Sequence, residues 1–75
     1  VYEEFTSENL SVYPNPVTST LYLKGNFKNA SIFNQLGKLI LNTSKDEIDV
    51  SSFALGVYYV KFNNSSSMIK FVKTH

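Results

Sequence analysis

Apolar and polar residues alternate with a period of two along almost the whole chain, and no stretch shows the 3.6-residue spacing of an amphipathic helix. Alternation sends successive side chains to opposite faces of an extended backbone, so such a chain can bury apolar surface only by packing one sheet on another. Residues 10–13 alternate and then stop at Pro14-Asn15-Pro16. Two prolines remove two backbone donors and fix two φ angles, which puts the tripeptide at a strand end or turn. Thr20 to Lys24 places Leu21 and Leu23 on one face and Tyr22 on the other, and Gly25-Asn26 reads as a turn.

A third strand is expected over residues 29–34, followed by a short hairpin, Gln35-Leu36-Gly37-Lys38, with Gly37 at a positive φ. The chain returns over 38–42, where Leu39-Ile40-Leu41 leaves the inward face undecided. Residues 43–47 read as polar loop, 48–50 as a brief strand, and 51–56 as a compact turn. Residues 57–62, Val-Tyr-Tyr-Val-Lys-Phe, form the strongest strand pattern, rich in β-branched and aromatic side chains. After a turn at 63–66, residues 67–73 close the chain, with Ile69 and Phe71 on one face and Met68, Lys70 and Val72 on the other. The expected fold is all-β: a sandwich of about seven short, mainly antiparallel strands. Residues 1–9 are acidic and read as a linker to an upstream domain; 10–75 form the single domain that a 75-residue chain has room for.

Composition removes several classes of function. Seven Lys, no Arg and six acids give a net charge of +1, no electrostatic footprint for nucleic acid or an anionic membrane. The chain contains no cysteine, so neither a disulfide framework nor a thiolate metal site is available. No apolar run approaches the eighteen or so residues needed to span a bilayer, and direct membrane insertion is not expected. Val1-Tyr2-Glu3-Glu4-Phe5 carries acids where a signal peptide has a basic region, which reads as a piece of a longer precursor or a domain expressed alone.

No catalytic constellation emerges. The one histidine, His75, is the last residue, and the plainer reading is a solvent-exposed terminus. Asp46, Glu47 and Asp49 invite a calcium reading, but the Gly and further acids of a calcium loop are missing, and a solvated loop leading into a strand explains them. No metal or other cofactor is expected. Asn-x-Ser triplets beginning at Asn9, Asn29, Asn42, Asn63 and Asn64 arise by chance in a chain with ten Ser and eight Asn. Tyr22, Phe33, Tyr58 and Tyr59 suggest a ring platform for sugars, although alternation puts Tyr58 and Tyr59 on opposite faces.

Three features in order carry more information than any one of them: Leu10-Ser-Val-Tyr-Pro-Asn-Pro16; Ile32-Phe-Asn-Gln-Leu-Gly-Lys-Leu-Ile40; and Ile48-Asp-Val-Ser-Ser-Phe-Ala-Leu-Gly-Val-Tyr-Tyr-Val-Lys61, leading to Met-Ile-Lys-Phe-Val-Lys73. Over residues 10–73 the chain closely resembles the type A C-terminal sorting domains of type IX secretion cargo, a family of the Bacteroidetes. In that resemblance Pro14, Asn15 and Pro16 correspond to the opening turn and Gly37 to the hairpin glycine. Gly56 corresponds to the glycine before the strand that carries Tyr58, and Lys70 and Lys73 to the basic residues of the closing strand. Asn34 stands where many relatives have Asp, and Phe53 where many have Leu; both leave the turn chemistry intact.

The resemblance implies an Ig-like sandwich and a non-catalytic signal that directs an upstream cargo across the outer membrane. It implies as partners the type IX translocon, an outer-membrane shuttle barrel and a sortase-like peptidase, with cleavage in residues 1–9. The cargo would pass through the periplasm to the cell surface or medium, and Thr74-His75 would be the natural C-terminus. The expected reading surface is the closing strand, Met68, Lys70, Val72 and Lys73, extended by a partner strand along its edge, while the motif prolines and glycines serve the fold. The rival reading is an Ig-like or fibronectin-like accessory module that binds carbohydrate or protein for an exported enzyme.

Overall fold

The computed structural model describes residues 10–63 and 68–75, so the expected linker at 1–9 and most of the turn before the closing strand lie outside the described residues. Seven strands follow one another: β1 (Ser11–Tyr13), β2 (Thr20–Lys24), β3 (Ala30–Asn34), β4 (Leu39–Thr43), β5 (Glu47–Asp49), β6 (Gly56–Phe62) and β7 (Met68–Lys73). They form two antiparallel sheets, one ordered β1-β2-β5 and the other β4-β3-β6-β7. The all-β sandwich expected from alternation is the fold found, with no helix among the described residues. β4 lies beside β3, not in the first sheet, where a constant-type immunoglobulin domain puts its fourth strand.

Alternation translates directly into the core. Leu21 and Leu23 of β2 and Ile48 of β5 face Ala30 and Ile32 of β3, Tyr58, Val60 and Phe62 of β6, and Phe71 of β7, and all are buried. Full burial of each large aliphatic or aromatic side chain contributes roughly 1.5–3 kcal/mol, so this one layer supplies most of the cohesion of so small a domain. Ring contacts tie it together. Phe27 meets Phe62 edge-on at 4.9 Å, and Tyr58 stacks on Phe71 at 5.4 Å with 16° between planes. The Tyr58 hydroxyl donates to the Ala54 carbonyl at 2.7 Å, which anchors the 51–56 turn to β6 and satisfies a hydroxyl that burial would otherwise strand. Phe53, the departure from the resembled pattern in that turn, packs half-buried with its ring 5.2 Å from Tyr58.

The undecided stretch Leu39-Ile40-Leu41 is settled by a bulge. Leu41 pairs with Ile32 and Leu39 with Phe33, so Ile40 is the extra residue opposite the Ile32–Phe33 step. Leu41 therefore packs against the core, while Leu39 and Ile40 are exposed. The strand starts at Leu39, one residue later than expected, because Lys38 is held in the turn. The Asn34 side-chain oxygen accepts the N–H groups of Leu36 and Lys38, each at 2.9 Å, and the Lys38 carbonyl accepts the Asn34 N–H. An aspartate would offer the same acceptor, which is why Asn34 leaves the turn intact. Gly37 has φ +85° with open space around a would-be Cβ, so the backbone angle alone demands glycine there.

The opening tripeptide carries the chain from one sheet to the other, the role of a corner in a packed sandwich. β1 pairs with β2, yet after Pro14-Asn15-Pro16 the buried Val17 forms a parallel bridge with Lys73 at the end of β7. Both X–Pro peptide bonds of the tripeptide are cis. The chain then rejoins the first sheet, where the Ser19 carbonyl accepts the Val50 N–H and β2 begins.

Candidate recognition surface

The sheet switch has a direct consequence for the closing strand. β7 is an edge strand, and its free side should present a row of unpaired backbone groups. Asn15 and Val17 occupy that row. The Asn15 amide donates to the Lys70 carbonyl, and its oxygen accepts the Val72 N–H, both at 3.0 Å, as a neighbouring strand would. Val17 donates to the Val72 carbonyl and accepts the Thr74 N–H, both at 2.8 Å. Strand addition along β7, the route expected from the sequence, meets an edge already paired from Lys70 to Thr74. The other edges are blunted too: β4 by its bulge, β1 and β5 by spanning three residues each.

What β7 does present is side chains. Met68 and Lys70 are exposed and Val72 is half-buried on the outer side of the four-stranded sheet. Lys73 differs from the other three. It lies on the Phe71 side of the strand, is only 5% exposed, and its Nζ donates to the Thr74 carbonyl at 3.1 Å. Its four-carbon stem covers the end of the core while the ammonium finds a backbone acceptor.

Register sets the neighbours of the exposed three. Phe33, Tyr59 and Lys70 stand directly opposite one another across β3, β6 and β7; Ser31, Lys61 and Met68 form the next such row, and Val57 stands opposite Val72. Between the first two rows and the β3–β4 turn lies a groove of about 290 Å³ lined by Phe33, Asn34, Gln35, Gly37, Tyr59 and Met68. This is at the lower limit of the ~300–1,000 Å³ typical of small-molecule pockets, a space for side chains more than for a cofactor. Of these residues Met68 was expected as recognition surface on the closing strand, and Phe33 and Tyr59 as part of a ring platform. Phe33, Tyr59 and Lys61 join it through strand register, which alternation alone does not provide.

The four rings considered as a sugar platform do not share a surface. Tyr58 is in the core; Phe33 and Tyr59 are on the outer face of the four-stranded sheet; Tyr22 is on the outer face of the other sheet, stacked on Tyr13 at 5.4 Å. Gly56, the motif glycine that starts β6, has φ +143°, and Pro14 and Pro16 flank the asparagine that closes the β7 edge.

The acidic residues lie elsewhere. Glu47 and Asp49 flank buried Ile48 on β5 and point outward, beside a polar-walled hollow of about 1000 Å³ in which Lys45 also sits. Among the described residues no three acidic, histidine or cysteine side chains converge to hold a metal ion. Asp49 has its own local partner: the Ser51 hydroxyl and N–H both donate to one carboxylate oxygen, at 2.6 and 2.9 Å, and hold the carboxyl below its ordinary value of 3.8. A depressed carboxyl stabilises the fold above its unfolded pKa and loses that contribution as pH falls through the folded one. Ser51→Ala removes the hydroxyl, the larger cause, so an NMR titration of Asp49 should show its pKa rising toward the ordinary value. An unchanged titration would mean the hydrogen bond does not form. Full exposure of the group keeps the effect on overall stability small.

The opening turn pairs the β7 edge, so the closing strand offers side chains in place of a free backbone edge. Comparison with known families names the kind of domain. Residues 11–74 match the secretion system C-terminal sorting domain, and the chain belongs to that family, the C-terminal sorting domains of the type IX secretion system. No curated protein and no solved structure matches the chain significantly. The family is not a catalytic one. Membership implies interaction with the type IX machinery and export to the cell surface or extracellular space.

Proposed function

We propose that this domain is the non-catalytic export address of a larger cargo protein. It is carried through the periplasm and across the outer membrane by the type IX translocon, and is handled there by a shuttle barrel and a sortase-like peptidase. The family match over residues 11–74 carries the reading. In this reading Met68, Lys70 and Val72 act through their side chains, since the backbone edge of β7 is paired from Lys70 to Thr74, and Lys73 acts from within, as the cover at the end of the core. Pro14, Asn15, Pro16, Gly37, Gly56 and Tyr58 hold this surface in place.

The test is to fuse residues 1–75 to a reporter carrying a Sec signal peptide and express it in a type IX-competent bacterium and in its translocon-deficient mutant. The reporter should reach the medium or the cell surface only in the competent strain. Retention in the periplasm of both strains would overturn the sorting role. The accessory-module reading draws on the exposed Tyr13–Tyr22 stack, which lies on the opposite sheet from β7, so variants there separate the two functions.

A further inference from the structure

The two outer faces of the sandwich differ in chemistry. An antiparallel sheet with one face on the core is expected to be polar on the other, and the three-stranded sheet follows this, with Thr20, Lys24, Glu47 and Asp49 pointing outward beside its tyrosine pair. The four-stranded sheet does not. Its outward positions are mostly apolar, Phe33, Leu39, Val57, Tyr59, Met68 and Val72, interrupted by Lys61, Lys70 and the hydrogen-bonded pair Ser31 and Asn42. No acidic residue occurs anywhere in β3, β4, β6 or β7. The face is therefore largely apolar, grooved and of a single charge sign, although the chain as a whole is almost neutral. An apolar patch of this kind marks an interaction site, and lysines of one sign beside it select the charge of what binds.

We propose that this face, centred on the groove between Phe33, Tyr59 and Met68, is where a component of the type IX machinery docks. The docking segment presents an apolar side chain to the groove and carboxylates to Lys61 and Lys70. The inference rests on the sorting role and names the surface and the chemistry of the partner that reads it. The groove is sized for protein side chains, and a lysine on each of two adjacent strands stands directly opposite a residue that lines it: Lys61 opposite Met68, and Lys70 opposite Tyr59. An apolar residue entering the groove would thus bring its acidic neighbours within reach of both ammonium groups. Because the edges of the sheet are closed or blunted, contact through this face is the mode left to the four-stranded sheet.

The test uses the secreted reporter fusion. Lys61→Glu with Lys70→Glu should lower secretion at least about ten-fold, the effect of placing like charges across an interface. Lys61→Gln with Lys70→Gln should fall between that and the parent. Lys24→Glu, an equal charge change on the other sheet, should secrete normally. Thermal melting of the purified domains should move by no more than about 4 °C, since surface substitutions change stability little. A photoreactive phenylalanine analogue replacing Tyr59 should cross-link in living cells to a type IX component, through a peptide containing Asp or Glu; the same analogue replacing Tyr22 should not.

Normal secretion of the doubly reversed variant, or cross-linking from Tyr22 and not from Tyr59, overturns the docking face while leaving the sorting role standing. Failure of the unmodified fusion to be secreted overturns the sorting role itself. Glycan binding by the isolated domain that is lost in Tyr59→Ala, with secretion unaffected, would assign the face to carbohydrate instead.

Discussion

Phe71→Ala should cost the domain about 3–5 kcal/mol and abolish secretion of any cargo fused to it, although Phe71 touches no partner. Phe71 is fully buried at the centre of the closing strand and stacks on Tyr58, whose hydroxyl in turn holds the 51–56 turn. Truncation removes the transfer energy of the ring, leaves a cavity between the two packed sheets that relaxes only partly, and frees Tyr58 to shift. A domain of this size has roughly 3–9 kcal/mol in all, so most of the stability would go. Thermal unfolding followed by circular dichroism should show a loss of at least ~12 °C, or no cooperative transition at all. Phe71→Leu, which keeps much of the volume, should recover the larger part of it. A shift of under ~5 °C for the alanine variant would mean that β7 is not held by its core face. The experiment also qualifies simple truncation: deleting the closing strand removes Phe71 along with Met68 and Lys70, so lost secretion would not distinguish a lost signal from a lost fold.

Phe71 was legible as a core residue because period-two alternation is local. Leu21 and Leu23, Tyr58, Val60 and Phe62, and Ile69 and Phe71 declare their faces within a few residues, and the expected strand over 20–24 is the one found. The same rule puts Lys73 on the Phe71 face, so its burial follows from alternation although the residue is basic. Leu39-Ile40-Leu41 could not be resolved because the bulge breaks alternation at that point. Asn15 is a different matter. Its partners, Lys70 and Val72, are 55 and 57 residues away, and no local pattern announces that a turn asparagine will substitute for a strand. The row Phe33–Tyr59–Lys70 is similarly non-local, since it needs the registers of two strand pairs at once. The motif was therefore visible in the sequence, and what it does to the sheet edge was not.

That edge gives the second large effect. Val17→Asp should destabilise the domain by about 3–5 kcal/mol at neutral pH, because it places an unpaired carboxylate at a position with no solvent exposure. The penalty should depend on pH in a definite direction. Burial disfavours the charged form, so the folded pKa of the new carboxyl lies above its unfolded value of about 3.9. The destabilisation is then smallest below that unfolded value, grows as pH rises toward the folded pKa, and is constant beyond it. Urea unfolding across this range should show the trend, whereas Val17→Ala should be destabilised by a similar amount at every pH. Val17 also carries the two backbone hydrogen bonds to Val72 and Thr74, and Asn15 sits two residues before it. If the acid expels this segment from the sheet, the edge groups of Lys70, Val72 and Thr74 are left unpaired and become a template for another strand. Val17→Asp should therefore associate with increasing concentration, as light scattering would show, while Val17→Ala, which keeps the backbone bonds, should gain no such tendency. A variant that stays as stable as the parent at every pH would show that Val17 does not seal the β7 edge. Side-chain reading of the outer face would then lose its physical reason, because strand addition at β7 would again be open.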